Sequence, residues 1–177
     1  HCVTRRQRQM CIRDSYLGKK IGKEKFPKYY TLRKINDLRY GENPHQEASL
    51  YQGSMERHIS IVNSTQHQGK ELSFNNIVDG DSALSCVINF DEPSCVIVKH
   101  ANPCGVSSND NLIDAYINAY NTDPTSSFGG VIAFNRDVNE ELIKNILDNQ
   151  FVELIIAPSF SEKSLEYAKL KKNIRII

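Results

Sequence analysis

From Pro93 onward the sequence alternates two periodicities, and that alternation restricts the fold more than any other feature. CVIVK (95–99) is rich in β-branched residues and apolar on both sides, the pattern of a strand covered on both faces. NDNLIDAYINAYN (109–121) then places Leu112, Ala115, Tyr116 and Ala119 on one helical face, with Asn109 or Asp110 as its N-cap. GGVIAFN (129–135) reads as a second buried strand. DVNEELIKNILDNQ (137–150) reads as a helix with acidic residues in its first turn, where the macrodipole favours them. VELIIA (152–157), SEKSLEYAKLKKN (161–173) and IRII (174–177) repeat the cycle of strand, helix and strand. Strands separated by helices of this length predict βαβ units, hence an α/β fold with a mostly parallel sheet covered on both faces.

Upstream the pattern is weaker. IVDGDSALSCVINF (77–90) spaces Ala83, Leu84, Val87 and Ile88 as a helix, with Asp81 as its N-cap. SIVNSTQHQGKELSFNN (60–76) reads as a strand followed by an irregular loop. DLRYGENPHQEASLYQ (37–52) reads as a loop built on Gly41 and Asn43-Pro44, then a short strand ASLYQ. The chain stops on the apolar IRII without a closing element, which predicts a piece of a longer protein.

The net charge of +1 conceals an asymmetry. Residues 1–34 carry 11 Lys and Arg against 2 Asp and Glu, whereas the remainder carries 11 against 19. A basic arm on an acidic body is one signature of a nucleic-acid-binding module, with the α/β body as scaffold. Against that reading, the arm contains no DNA-reading motif. Its first part, HCVTRRQRQMCIRDS (1–15), has no periodicity and reads as adapter-like, non-native sequence. Residues 16–36, broken by Gly and Pro and solvated by lysines, read as a linker, which leaves 37–177 as the folded body. No apolar run approaches the ~18–20 residues of a membrane span, and the polar N-terminus is unlike a signal peptide, so a soluble, cytoplasmic protein is expected. The five cysteines, Cys2, Cys11, Cys86, Cys95 and Cys104, are odd in number and irregularly spaced, which suits free thiols and argues against a disulfide framework.

The most unusual local feature is the end of the first strand, VIVKHANPCG (96–105). A lysine is costly to bury unpaired, and a turn needs neither Lys nor His for its geometry. In open α/β sheets ligands gather at the carboxyl ends of parallel strands. That rule singles out Lys99-His100, Asn135-Arg136 and Pro158-Ser159, one pair after each strand. DPTSSFGG (123–130) adds Ser126-Ser127, with groups suited to an anion, and Gly129-Gly130, which permits close approach of the backbone. It is not a GxxxxGK[ST] phosphate loop, and a Ser/Gly turn is more often only a turn. Zinc deamination needs H-x-E and P-C-x-x-C. Here Cys104 is followed by Gly-Val-Ser and His100 by Ala-Asn, so no metal site is expected.

LRYGENPHQ, GKELSFNN, CVIVKHANPCG, AYNTDPTSSFGGVIAFNRDV and FVELIIAPS stand in that order along the chain. In these five motifs, from about residue 16 to 177, the chain resembles the bacterial bifunctional enzymes of purine biosynthesis. Those enzymes join aminoimidazole-carboxamide ribonucleotide (AICAR) formyltransferase to IMP cyclohydrolase. The resemblance implies that residues 37–177 are the first of two three-layer α/β/α, cytidine-deaminase-like subdomains of the formyltransferase, truncated at its C-terminus. It implies AICAR as substrate, 10-formyltetrahydrofolate as co-substrate, and a homodimer that needs no metal, nucleic acid or membrane. Lys99 and His100 match the catalytic pair. Arg39 and Tyr40 match residues that hold the nucleotide, and Gly129 matches a backbone contact to it. Glu153 stands where some relatives carry a substrate-binding Asp.

Overall fold

The computed structural model describes residues 32–53 and 59–177. The adapter-like segment, residues 16–31 of the predicted linker, Cys2 and Cys11 lie outside the described residues. The chain divides into two units, residues 1–33 with 53–55 and residues 34–52 with 56–177, and the described residues lie almost wholly in the second.

In chain order the elements are β1 (Leu32–Leu38), β2 (Ala48–Gly53), α1 (Phe74–Val87), β3 (Ser94–Lys99), β4 (Asn102–Ser108), α2 (Leu112–Thr122), α3 (Pro124–Ser127), β5 (Gly130–Phe134), α4 (Glu140–Asn149), β6 (Val152–Ile156), α5 (Glu162–Ala168) and β7 (Arg175–Ile176). Single 3₁₀ turns occupy Ile61–Asn63 and Lys169–Lys171. β1 and β2 pair with each other, and the other five strands form one sheet in the order β4-β3-β5-β6-β7.

The fold is α/β, but the sheet is mixed where the periodicity predicts a mostly parallel one. β3 runs antiparallel to both of its neighbours, β4 and β5, while the β5–β6 and β6–β7 pairs are parallel. The cause is a strand that composition hides. NPCGVSS contains Pro and Gly and reads as a turn, yet it folds back on β3 as β4. β4 is an edge strand, where the missing N–H of Pro103 is tolerated.

Strand alternation then divides two cores. Cys95 and Ile97 of β3, Ile132 and Phe134 of β5 and Ile155 of β6 pack with Ala115, Tyr116 and Ala119 of α2 and Leu142, Ile143 and Ile146 of α4. Val96, Val98, Val131, Ala133, Leu154 and Ile156 point the other way, onto Ala83 and Val87 of α1. Burying the Cys95 thiol in the first core pushes its pKa well up, so it is an inert packing group. Cys86, Cys95 and Cys104 are all free thiols.

Two helix starts differ from the sequence reading, each for a capping reason. α1 begins about two turns earlier than a helix capped by Asp81 would, because Ser73 and Asn76 form a reciprocal capping box, which leaves Asp81 inside the helix. α2 is capped by Asn111, whose side chain accepts from the Asp114 N–H at 2.9 Å, and not by Asn109 or Asp110. The strand expected after Ser60 is replaced by a 3₁₀ turn; within 60–76 the extended pairing is the single bridge from Gln68 to Ile176. Residues 32–38, partly assigned to the linker, are strand β1.

α2 lies directly on β4 at Gly105. A Cβ built there would stand 2.0 Å from the Ala119 carbonyl oxygen, a backbone atom that cannot swing aside. Gly105→Ala should therefore lift α2 and destabilise the fold by at least about 2 kcal/mol, as overpacking does. The control is Gly53→Ala, whose Cβ would meet no atom within 4 Å. Urea denaturation should show a lowered midpoint for the first variant and an unchanged one for the second.

Candidate functional site

The antiparallel direction of β3 rearranges the predicted site. Lys99-His100 emerges at the edge where β5 and β6 begin, opposite the edge where they end. The three residue pairs that the parallel-sheet rule placed together are therefore split. At the far edge Asn135 braces the backbone. Its side chain accepts from the Ser94 N–H at 2.8 Å and donates to the Phe90 and Glu92 carbonyls at 2.8 and 2.7 Å. The Arg136 guanidinium donates to the Asp91 and Asn135 carbonyls. These groups tie down the loop that enters β3. A cleft of about 410 Å³ at that edge takes in Asn135, Arg136 and Pro158 among mostly apolar neighbours.

β3 and β4 are joined by only two residues, His100 and Ala101, with φ of 53° and 58°. Two-residue hairpins favour left-handed backbone at both central positions, for which Asn-Gly is the usual occupant. Neither His nor Ala suits it, and the conformation costs about 1–2 kcal/mol at each. Asp79 of α1 answers that cost. Its carboxylate accepts from the Ala101 N–H at 2.7 Å and from the His100 N–H at 3.3 Å. Hydrogen bonds to a charged acceptor contribute about 1.5–3 kcal/mol when sheltered and less in an exposed turn. The two bonds thus offset part of the strain. Asn102 adds a bond from its side-chain amide to the His100 carbonyl at 2.8 Å.

Lys99 is half-buried and reaches across the start of β5, where its ammonium donates to the Phe128 carbonyl. The next residue, Gly129, has φ of 72° and donates its N–H to the Phe151 carbonyl at 2.8 Å. A Cβ on Gly129 would lie 3.9 Å from the Lys99 ammonium and 3.6 Å from the Phe151 ring. The backbone conformation favours glycine here. The rings of Phe128 and Phe151 stand 5.5 Å apart and are largely exposed, beside a cavity of about 630 Å³ that also takes in Lys171 and Lys172.

On the other side of Phe151 lies a cleft of about 310 Å³ lined by Tyr40, Lys70, Ser73, Asn76, Phe151, Glu153, Asn173 and Arg175. Glu153 is aimed into it by an irregularity of the sheet. The β5–β6 register runs from Gly130↔Val152 to Val131↔Leu154 and skips Glu153, as a bulge that re-aims a side chain does. Its carboxylate accepts from the Asn76 side-chain amide at 2.9 Å. Lys70 and Arg175 supply two cations to the same walls. Arg39 is exposed and flanks this cleft without lining it, its guanidinium 5.9 Å from the centre of the Tyr40 ring.

Of the predicted site residues, Lys99, His100 and Gly129 stand together at one edge, and Tyr40 and Glu153 share the adjoining cleft. Phe151 borders both groups. Ser126 and Ser127 form no anion site: the Ser126 N–H and hydroxyl donate to the Asp123 carboxylate, and the Ser127 hydroxyl donates to the Asp123 carbonyl, all as the cap of α3. The Ser126 hydroxyl and amide hold the Asp123 carboxyl below its ordinary pKa. Cys104 is half-buried, with its thiol 3.5 Å from the Ile97 carbonyl. Among the described residues no group of three or more His, Cys, Asp or Glu is placed to hold a metal ion, and no helix is long and apolar enough to cross a membrane. Asp79, Asn76, Lys70 and Arg175 escape a reading of the sequence. The signal for Lys70 and Asn76 is the motif GKELSFNN itself; Asp79 has none.

The model of the AICARFT/IMPCHase bienzyme family matches residues 8–177, a span that includes all five motifs on which the resemblance rests. The chain belongs to that family of bifunctional purine-biosynthesis enzymes.

Proposed function

We propose that this chain carries the formyltransferase chemistry of the bienzyme, with AICAR as the acceptor, 10-formyltetrahydrofolate as the donor and the Lys99–His100 edge as the reacting end. The observation that supports this reading is the adjacency of Lys99 and Gly129 to the Tyr40–Glu153 cleft through Phe151. One end of the arrangement offers a base and a cation; the other offers polar and charged groups suited to a nucleotide. The reading extends to a cytidine-deaminase-like subdomain acting without metal, in a cytoplasmic homodimer.

The chemistry follows from the acceptor. A 5-amino group conjugated with its imidazole is a weak nucleophile, so it must shed a proton as its nitrogen bonds to the formyl carbon. The bond from that carbon to the folate nitrogen breaks, and the folate nitrogen takes up a proton. His100, exposed at the tip of the turn, accepts the amine proton, a role for which an imidazole is the usual group. The Lys99 ammonium faces the formyl oxygen as negative charge develops on it. Arg39 pairs with the nucleotide phosphate, which a guanidinium can hold in bidentate fashion. Tyr40, Gly129 and Glu153 orient the remainder of the nucleotide.

In the full-length enzyme, His100→Ala should lower kcat for formyl transfer by about 10²–10⁴, the range for losing a general base. Lys99→Met should lower it by about 10² or more through the lost charge stabilisation. Circular dichroism should show both variants folded. Near-normal kcat in either would remove its assigned role. A wild-type protein that closes the purine ring but transfers no formyl group would assign the chain to the cyclohydrolase side.

Asn76→Ala should affect binding and stability together, because that side chain both closes the capping box and holds Glu153. Melting should show a loss of about 1–2 kcal/mol. The KM for the nucleotide should rise while kcat changes little; an unchanged KM would exclude Glu153 from the nucleotide site.

A further inference from the structure

The turn that bears His100 is held from outside by one residue that does not face the cleft. Asp79 sits near the middle of α1, and its two carboxylate oxygens accept from consecutive backbone N–H groups, Oδ1 from Ala101 and Oδ2 from His100. Both donors belong to residues in left-handed backbone, and neither is Gly. A single acidic side chain spanning two successive amides fixes the orientation of both peptide planes. It thereby fixes the direction in which the His100 side chain leaves the backbone. The Asn102 side-chain amide donates to the His100 carbonyl at 2.8 Å.

We propose that Asp79 is a positioning residue for formyl transfer: it holds the His100–Ala101 turn in its left-handed form and so presents the His100 imidazole to the reacting amine. The proposal rests on the formyltransferase reading of the site. Asp79 acts through His100 and touches no reacting atom. A carboxylate is the fitting group because both of its oxygens accept. An amide at this position would turn its NH₂ toward one of two N–H donors and lose that bond. The site also explains why a strained pair can stand where Asn-Gly is usual. Glycine at 101 would reach the conformation unaided, whereas alanine reaches it under the Asp79 clamp.

The test uses the full-length enzyme with Asp79→Ala, Asp79→Asn and the double variant Asp79→Ala/Ala101→Gly. Misplacing a reacting group by a fraction of an ångström is costly, so Asp79→Ala should lower kcat about 30-fold, with the nucleotide KM changed less than about threefold. Asp79→Asn, which keeps one acceptor, should fall between it and wild type. Ala101→Gly should restore kcat in the Asp79→Ala background to within about threefold of wild type, because glycine needs no help to adopt positive φ. Amide exchange at pH 7 supplies a readout independent of turnover. The His100 and Ala101 amides should exchange at least about tenfold faster in Asp79→Ala than in wild type.

Unchanged exchange would overturn the clamp whatever the activity. Faster exchange with normal kcat would overturn the positioning role, and so would a loss of kcat that Ala101→Gly does not repair, since that pattern marks a general packing defect. Wild-type enzyme without formyl transfer would overturn the catalytic role together with the reading of the site, and the exchange data would show separately whether the clamp itself exists.

Discussion

The two-residue turn between β3 and β4 is the constraint from which the rest of this architecture follows. Because the chain reverses within His100–Ala101, β4 becomes an edge strand and β3 is enclosed between two antiparallel neighbours. The end of β3 then meets the beginning of β5, not its end. That one reversal carries Lys99 to the Phe128 carbonyl and to within reach of Gly129, and it leaves Asn135 and Arg136 at the far edge as loop ties. A parallel β3 would have put two cations and an imidazole beside Pro158. Lys99 and His100 would then have stood at the opposite edge from the cleft of Tyr40 and Glu153.

The reversal would be unsupported without α1. The capping box at Ser73 fixes where that helix begins, at about 1 kcal/mol for such a cap, and so fixes the register of everything after it. Asn76 and Asp79 are three residues apart, which places them on one face, a turn from each other. The first holds Glu153 of β6, and the second holds the hairpin after β3. Gly80, adjacent to Asp79, lets the helix lie low: a Cβ there would come within 3.2 Å of Ile61 and Leu154 and 3.3 Å of Ile156. A slip of one residue at the cap would rotate both polar side chains away from their partners by about 100°, given 3.6 residues per turn.

Hydrophobic periodicity made the body of the fold legible. Leu112, Ala115, Tyr116 and Ala119 all lie on or against the core, Val131–Phe134 is buried throughout, and α4 buries Leu142, Ile143, Ile146 and Leu147. Periodicity carries no information on strand direction, and there the reading failed. Pro103 and Gly105 concealed β4 because each is unfavourable in a central strand and acceptable at an edge. The odd strand ending VIVKHANPCG singled out Lys99 and His100, and the family resemblance singled out Tyr40, Gly129 and Glu153, which stand in two adjoining places of the fold. Asp79 could not be found that way. Its partners are backbone N–H groups 21 residues away and more, and an aspartate on a helix is ordinarily a solvated surface residue.

Glu153 is held in its cleft by the sheet and by the cap of α1 together. β6 departs from regular pairing at this position, so the residue is not bound to point where strict alternation would send it. Phe151, two residues earlier, is anchored by its carbonyl to the Gly129 N–H, which fixes the strand's entry just before the irregularity. The extra methylene of Glu153 then spans to Asn76, whose remaining oxygen is engaged by the Ser73 N–H and hydroxyl. The carboxylate is thus held by an amide that is itself immobilised. Shortening the side chain would leave a buried amide donor without its acceptor, which costs more than the bond contributes. The glutamate and the helix cap therefore form one unit, and the position of the acid in the cleft is set as much by Ser73 as by β6.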